Sequence, residues 1–262
     1  WSERVDAQIS RVANMFVMSQ LPAAADVGVA PANPAPQYSH QQWSTWGASG
    51  LAGVWAEENT RESIFAAMRR KETFATSGPR MRVRFFGGYG FGDDILDSAN
   101  MVAEAYSGGV PMGGELTAQS AGSPEFLVWV TRDPGSNSLQ RAQIVKGWID
   151  GEGETHEAVF DVACAGGAET DPETQRCPPN NAAVDVATCE TSADTGADEF
   201  RTVWRDPTYV AGQNAAYYVR ALENPTCRWS SWDALRAGTP PNPILPAVIQ
   251  ERVWSSPIWL EN

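Results

Sequence analysis

Basic residues are scarce in this chain of 262 residues: 19 Lys and Arg stand against 32 Asp and Glu, for a formal net charge of −13. A polyanion such as DNA, RNA or an anionic membrane is repelled by most of such a surface, so no nucleic-acid partner is expected. Histidine is scarcer still, with only His40 and His156. The chain therefore has no His-x-His, no His-Glu-x-x-His and no Ser-His-Asp set in a recognisable order. Each histidine reads as an exposed surface residue. Long apolar runs are also missing. The stretch from Val12 to Met18 is broken at Asn14, far short of the roughly 18 residues a membrane helix needs, so no membrane span is expected. No Cys-x-x-Cys pair occurs, which excludes a zinc ribbon and a thioredoxin-type couple. No Asn-x-Ser/Thr sequon occurs either, since Asn224 is followed by Pro225. This leans towards a bacterial envelope, the periplasm included, over a glycosylated secreted protein. The first residue is Trp1, with no basic segment leading into an apolar run. The expectation is that a targeting segment has been removed or that the chain is part of something longer.

What is present suits a globular chain. Apolar residues make up 42% and charged ones 19%, with 23 Gly and 18 Pro, too apolar for disorder and without the period of collagen. A chain of this length buries about 70–75% of its extended surface and can build a core without staples. Four cysteines, Cys164, Cys177, Cys189 and Cys227, all lie in the second half. An even count in loop-like sequence suits disulfides in an oxidising compartment, with Cys164 to Cys177 and Cys189 to Cys227 favoured because each closes locally. Four reduced buried thiols are the alternative.

Apolar residues recur at helical spacing from Trp1 to Gln20 (Val5, Ile9, Val12, Phe16, Val17), and prolines at 22, 31, 34 and 36 make Leu21 to Gly50 a surface loop. Leu51 to Ala56 reads as a short buried strand. Asn59 then caps a helix, with Glu62 completing a capping box and Ile64, Phe65 and Met68 forming its inner face. From Met81 onward the pattern is that of strands: 81–86, 126–131, 139–149, 155–162, 199–204, 215–222 and 248–254, with a turn at 150–154 and a short helix over 97–106. Short strands punctuated by Gly and Pro indicate a β-sandwich within an α+β chain, and residues 166–197 form an acidic, cysteine-bearing insert.

Several segments invite a chemical reading. Gly88, Gly90 and Gly92 follow a strand, but the spacing is not that of a phosphate loop and Asp93 and Asp94 come next, so a plain turn is expected. The alternating acids Asp150, Glu152 and Glu154 before His156 lack the EF-hand spacing and read as a solvated hairpin turn. Asp171, Glu173, Asp185, Asp194 and Asp198 in the insert form a candidate calcium set. Eleven Trp is a heavy load. Of these, Trp229, Trp232, Trp254 and Trp259 cluster near the end, where they either fill a core or offer flat faces to a glycan or a partner subunit. Thr76, Ser77 and Arg80 form the most suggestive polar segment, a Gly-Pro turn able to present hydroxyls and a guanidinium to an anion, or else a domain hinge.

Residues 50–62, GLAGVWAEENTRE, and 68–80, MRRKETFATSGPR, resemble the bacterial family known as domain of unknown function 3604. The likeness continues at 109–114 (GVPMGG), 139–148 (LQRAQIVKGW), 203–207 (VWRDP), 217–225 (YYVRALENP), 227–230 (CRWS) and 249–259 (IQERVWSSPIW). The resemblance implies kinship with the polymerase and histidinol phosphatase (PHP) superfamily, metal-dependent hydrolases built on a distorted α/β barrel. On that basis residues 1–79 are the closing segment of a barrel, 80–262 an appended sandwich with its insert at about 164–198, and the divalent-metal ligands lie upstream, near a Ser-Asp-Thr-His element that nothing here matches. The implied reading is a C-terminal fragment of a phosphoesterase-like hydrolase, inactive alone, whose partner is the N-terminal remainder. Thr76, Ser77 and Arg80 would face the barrel mouth, and no metal ligand carries over. The reading from another class is a non-catalytic binding or assembly module using its Trp-rich end. Self-association as a homo-oligomer is left open by both.

Overall fold

The computed structural model describes Gly47 and residues 49–119 and 122–261. The helix expected over Trp1 to Gln20, most of the proline-rich stretch and His40 lie outside the described residues. In chain order the elements are β1 (Leu51–Val54), α1 (Arg61–Arg69), β2 (Thr73–Thr76), β3 (Arg82–Gly88), α2 (Met101–Gly108), β4 (Gly109–Pro111), β5 (Glu115–Thr117), β6 (Glu125–Thr131), β7 (Leu139–Ile149) and β8 (Thr155–Cys164). They continue with β9 (Val184–Asp185), β10 (Glu190–Thr191), β11 (Glu199–Arg205), β12 (Ala215–Glu223), β13 (Thr226–Cys227), α3 (Trp229–Ala237), β14 (Val248–Ile249), β15 (Arg252–Ser255) and β16 (Ile258–Glu261). The strands expected from 81 to 254 are present, and the chain is β-rich as read.

The larger of two compact units takes in Ser49–Val184, Thr191–Thr226 and the chain from Gln250 onward. It holds two sheets. In the eight-stranded sheet β12 is central: β7 and then β8 lie on one side, while β15 and β16 share the other, pairing with Arg220–Leu222 and Ala215–Tyr217 respectively. The break between β15 and β16 contains Pro257, which has no N–H to give a ladder. β2 and β1 extend the sheet beyond β15, and β5 joins β16 in parallel. The second sheet has the order β11-β6-β3-β4. Alternation decides its faces. Val83, Phe85, Phe126, Val128 and Val130 meet Ile144, Tyr217, Val219, Val253 and Ile258 of the large sheet in one core. The opposite face places Phe86 and Leu127 beneath α2 and a short 3-10 turn at Asp93–Asp97, with Phe91, Ile95, Met101 and Ala105. At Phe86 and Leu127 both faces of the sheet are thus covered, as the apolar run of β6 demands, while Arg82 and Arg84 hold the uncovered end of the outer face of β3.

Three local expectations are corrected. The cap of α1 is Thr60, not Asn59: the Ser63 N–H donates to the Thr60 hydroxyl, and the Ser63 hydroxyl accepts from the Glu58 N–H. The buried face differs too: Ala67 is fully buried with Ile64 half-buried three residues before it, while Phe65 and Met68, turned about 100° from that face, are 61% and 53% exposed. The helix joins strands that pair antiparallel, Leu51 with Thr76 and Val54 with Thr73, so this step is a hairpin with a helical connection. Leu51 itself is exposed.

The smaller unit includes Asp185–Glu190 and Cys227–Ile249. Its disulfide joins Cys189 to Cys227, and α3 ends at Gly238, whose φ of 63° is a left-handed conformation suited to glycine. In the larger unit Cys164 bonds Cys177. Both favoured pairings are present, and two disulfides suit an oxidising compartment.

Candidate functional site

The polar groups of the Gly-Pro turn are engaged at home. Thr76 is buried, and its hydroxyl accepts the Gly78 N–H. The Ser77 hydroxyl donates to the Glu251 carboxylate and accepts the Arg252 N–H at 2.7 Å. The Arg80 N–H donates to Asp133 at 2.7 Å, leaving the Arg80 side chain exposed. The three residues lie at the end of β2 and in the turn that follows it.

The glycine loop after β3 does bind an anion, and the anion is the protein's own. The N–H groups of Gly90 and Phe91 donate to one oxygen of Glu125 at 2.8 and 2.6 Å, and Arg205 donates to the other at 2.7 Å. Burial opposes the charge on Glu125, yet Arg205 and the two backbone donors hold its carboxyl below the usual range. A turn was expected, and its purpose is to seat this carboxylate.

Asp150 accepts the N–H groups of Glu152 and Glu154 through one oxygen and faces His156 through the other, 2.6 Å away. His156 in turn stacks on Trp148. A hairpin turn is what the carboxylate organises. The candidate calcium acids are not gathered: among the described residues no three His, Cys, Asp or Glu side chains converge as ligands. Asp171 caps its own turn through Glu173 and Thr174, Asp185 accepts from Ala187, and Asp198 pairs with Arg132. These carboxylates are spent on separate local partners, which is the physical reason they do not form a cage. Trp229, Trp232, Trp254 and Trp259 are all half-buried. Arg228 and Arg236 lie over the rings of Trp229 and Trp232 at 4.8 and 5.5 Å, so own-chain guanidiniums occupy those ring faces.

The residues that do converge line a groove of about 510 Å³. Trp55, Ala56 and Glu57 come from the segment after β1, Arg70 and Glu72 from the end of α1 and the lead into β2, Arg84 from the outer face of β3, Tyr106 from α2 and Pro111 from β4. Glu72 is its centre. Buried to 4% exposure, it accepts from Arg70 Nε at 2.8 Å and from the Tyr106 hydroxyl at 2.6 Å, one donor to each oxygen. The Tyr106 oxygen accepts from Arg84 at 3.5 Å, and the Arg84 guanidinium lies 3.8 Å over the Trp55 ring. Trp55 is pinned by its own N–H to the Val83 carbonyl at 2.8 Å, and Tyr106 packs edge-on to Phe86. Burial, then the bond to Glu72, raises the Tyr106 hydroxyl above the ordinary phenol range, and the bond to Glu72 keeps Arg70 firmly cationic. Thr76, Ser77 and Arg80 are not in this lining. Sequence reasoning did not single out Arg84 or Tyr106. The available signal was the second face of β3, where Arg82 and Arg84 alternate with the core residues.

Buried polar groups also cluster around Lys146 and Glu223. Lys146, 1% exposed, gives its three N–H bonds to Asp206 at 2.6 Å and to the carbonyl and hydroxyl of Thr208, both at 3.1 Å. Asp206 also accepts from the Tyr217 hydroxyl and from the N–H and hydroxyl of Thr208. Every donor and acceptor there is used. Glu223 is fully buried; Ser136 donates to one oxygen, and the other has no partner among the described residues. Its carboxyl is pushed up to about 7, by burial first and then by Glu251 and Asp133.

The sequence profile of the family described as "Protein of unknown function (DUF3604)" matches residues 13–262. No curated protein and no solved structure matches the chain.

Proposed function

The chain belongs to the DUF3604 family, and on that premise we propose that it is the downstream sandwich of a metal-dependent, phosphoester-cleaving hydrolase of the bacterial periplasm. In this reading the metal ligands reside in an N-terminal remainder related to the PHP superfamily. The metal-bound water made there attacks the substrate, and the present residues supply walls. The observation that carries the reading is the origin of the groove: Trp55, Ala56, Glu57, Arg70 and Glu72 all come from the 50–80 stretch and Pro111 from 109–114, the segments on which the likeness to the family is densest. Residues far apart in sequence thus meet at one polar surface, where two guanidiniums face outward beside a neutralised carboxylate. Arg80, the exposed member of the Gly-Pro turn, is a second contact, with Thr76 and Ser77 shaping its turn.

The test is a longer gene product carrying upstream sequence, assayed for divalent-metal-dependent hydrolysis of phosphomonoesters and diesters. Turnover that is abolished by chelation and reduced about tenfold or more by Arg84→Met supports the reading, a loss of the size expected for one charged hydrogen bond. Metal-independent turnover, or turnover unaffected by Arg84→Met and Arg80→Ala alike, contradicts it. For the module reading, an own-chain arginine already lies over one face of Trp229 and of Trp232, where it competes with a stacking sugar.

A further inference from the structure

The geometry points to the groove as an oxyanion-binding site in its own right, one that holds a phosphate or carboxylate group between the guanidiniums of Arg70 and Arg84. The inference takes from the functional reading only that this surface meets a ligand.

Anion recognition needs donors that are fixed in place and not already spent, together with no unpaired acid in the way. The groove supplies donors that are fixed and unspent, and of its two acids only Glu57 is left without a hydrogen bond from them. Arg84 is fixed by stacking on Trp55 at 3.8 Å and by Tyr106, and Trp55 is itself tied to β3 through the Val83 carbonyl. Arg70 is fixed through Nε by the buried Glu72. These bonds use one nitrogen of each guanidinium. Among the described residues the remaining nitrogens of Arg70 and Arg84 make no hydrogen bond, so each presents an unspent edge. The charge of Glu72 is offset by the Arg70 guanidinium paired to it, and the Tyr106 hydroxyl donates to its other oxygen. Tyr106 stays protonated and has given its hydrogen to Glu72, so it orients the carboxylate and carries no charge of its own. A planar guanidinium flanked by an aromatic face is the arrangement that favours a bidentate oxyanion over a halide. Glu57, exposed in the same lining, is the one acid there without a hydrogen bond from Arg70 or Tyr106. It limits affinity, and its charge gives the proposal a directional test.

The 262-residue chain is titrated with inorganic phosphate and, separately, with acetate, by calorimetry at constant ionic strength against chloride. Saturable binding of either anion is expected; phosphate alone identifies a phosphoryl group, acetate alone a carboxylate, and both a general oxyanion. Arg84→Met and Arg70→Met should each weaken binding by about tenfold, and Glu57→Gln should strengthen it by about threefold through removal of a like charge. Circular dichroism checks folding. Should Arg84→Met unfold, Arg70→Met carries the test, since its side chain is 45% exposed. No binding by the parent chain, or binding unchanged in both arginine variants, overturns the proposal. Neither metal nor turnover enters this measurement. A longer protein that fails as a hydrolase leaves the oxyanion site standing, and an absent oxyanion site leaves the hydrolase open.

Discussion

Glu223 is the residue whose environment argues most directly for a measurable consequence. Its carboxyl is raised from about 4.5 to about 7 in the folded chain, so between those values the native state holds a proton that the unfolded state has released. Stability therefore falls as pH rises from about 5 towards 7 and reaches its lower plateau above 7, a change of about 3 kcal/mol for a shift of this size. Asp133 and Glu251 face it and add to the penalty, while the Ser136 hydroxyl offsets part of it. Urea melts at pH 5.5 and 8.5 should show the parent chain less stable at the higher pH, and Glu223→Gln should lose most of that difference. An equal slope in both proteins contradicts the assignment. Lys146 is the contrasting case, a buried charge with every bond satisfied. Lys146→Met removes the cation and leaves Asp206 buried beside Tyr217 and Thr208, which should cost about 3–5 kcal/mol in the same melts. Neither position was apparent from sequence. Lys146 sits in a strand whose alternation assigns it to the core side, and only its juxtaposition with Asp206 and Thr208, some sixty residues on, explains why a lysine is tolerated there.

At the scale of elements, what could be read in advance tracks periodicity. Strands β3, β6, β7, β8, β11 and β12 were legible because alternation and β-branched runs are local properties, and α2 because Met101, Val102 and Ala105 fall on one face. The cap of α1 was misplaced because Asn59 and Thr60 are both good caps and the choice depends on the Ser63 partner, and its inner face because the small Ala67, not the larger Phe65 and Met68, is the residue that packs inward. Gly88, Gly90 and Gly92 show the other limit. A turn was legible, but not that Glu125, thirty-five residues after Gly90, accepts its N–H groups. Glu125→Ala should leave the donors at Gly90 and Phe91 unpaired, costing about 2 kcal/mol and loosening Phe91 from the cluster beneath α2. Amide exchange at Gly90 and Phe91 should accelerate, and unchanged protection would argue against this seat. The insert is organised in the same manner by one buried carboxylate. Asp161 accepts from Gln143 at 2.6 Å and from the Cys177 N–H at 2.8 Å, next to the bond between Cys164 and Cys177. That disulfide closes a 13-residue separation, so replacing both cysteines by Ser should destabilise the chain by about 3 kcal/mol, read as a lowered melting midpoint.

For the whole molecule, the described residues hold a sandwich with a polar groove, and among them no set of side chains is arranged as metal ligands. The groove was not legible from sequence, because its described lining residues span Trp55 to Pro111 and only folding brings them together. In the proposed reading this chain holds an anionic group and upstream sequence carries the ion that performs the chemistry. Elemental analysis of the purified 262-residue chain, together with a phosphoesterase assay on the same preparation, tests that division most directly. The account predicts no zinc, manganese or iron approaching one atom per chain and no turnover on adding these ions. Stoichiometric metal accompanied by turnover from this polypeptide alone would contradict it.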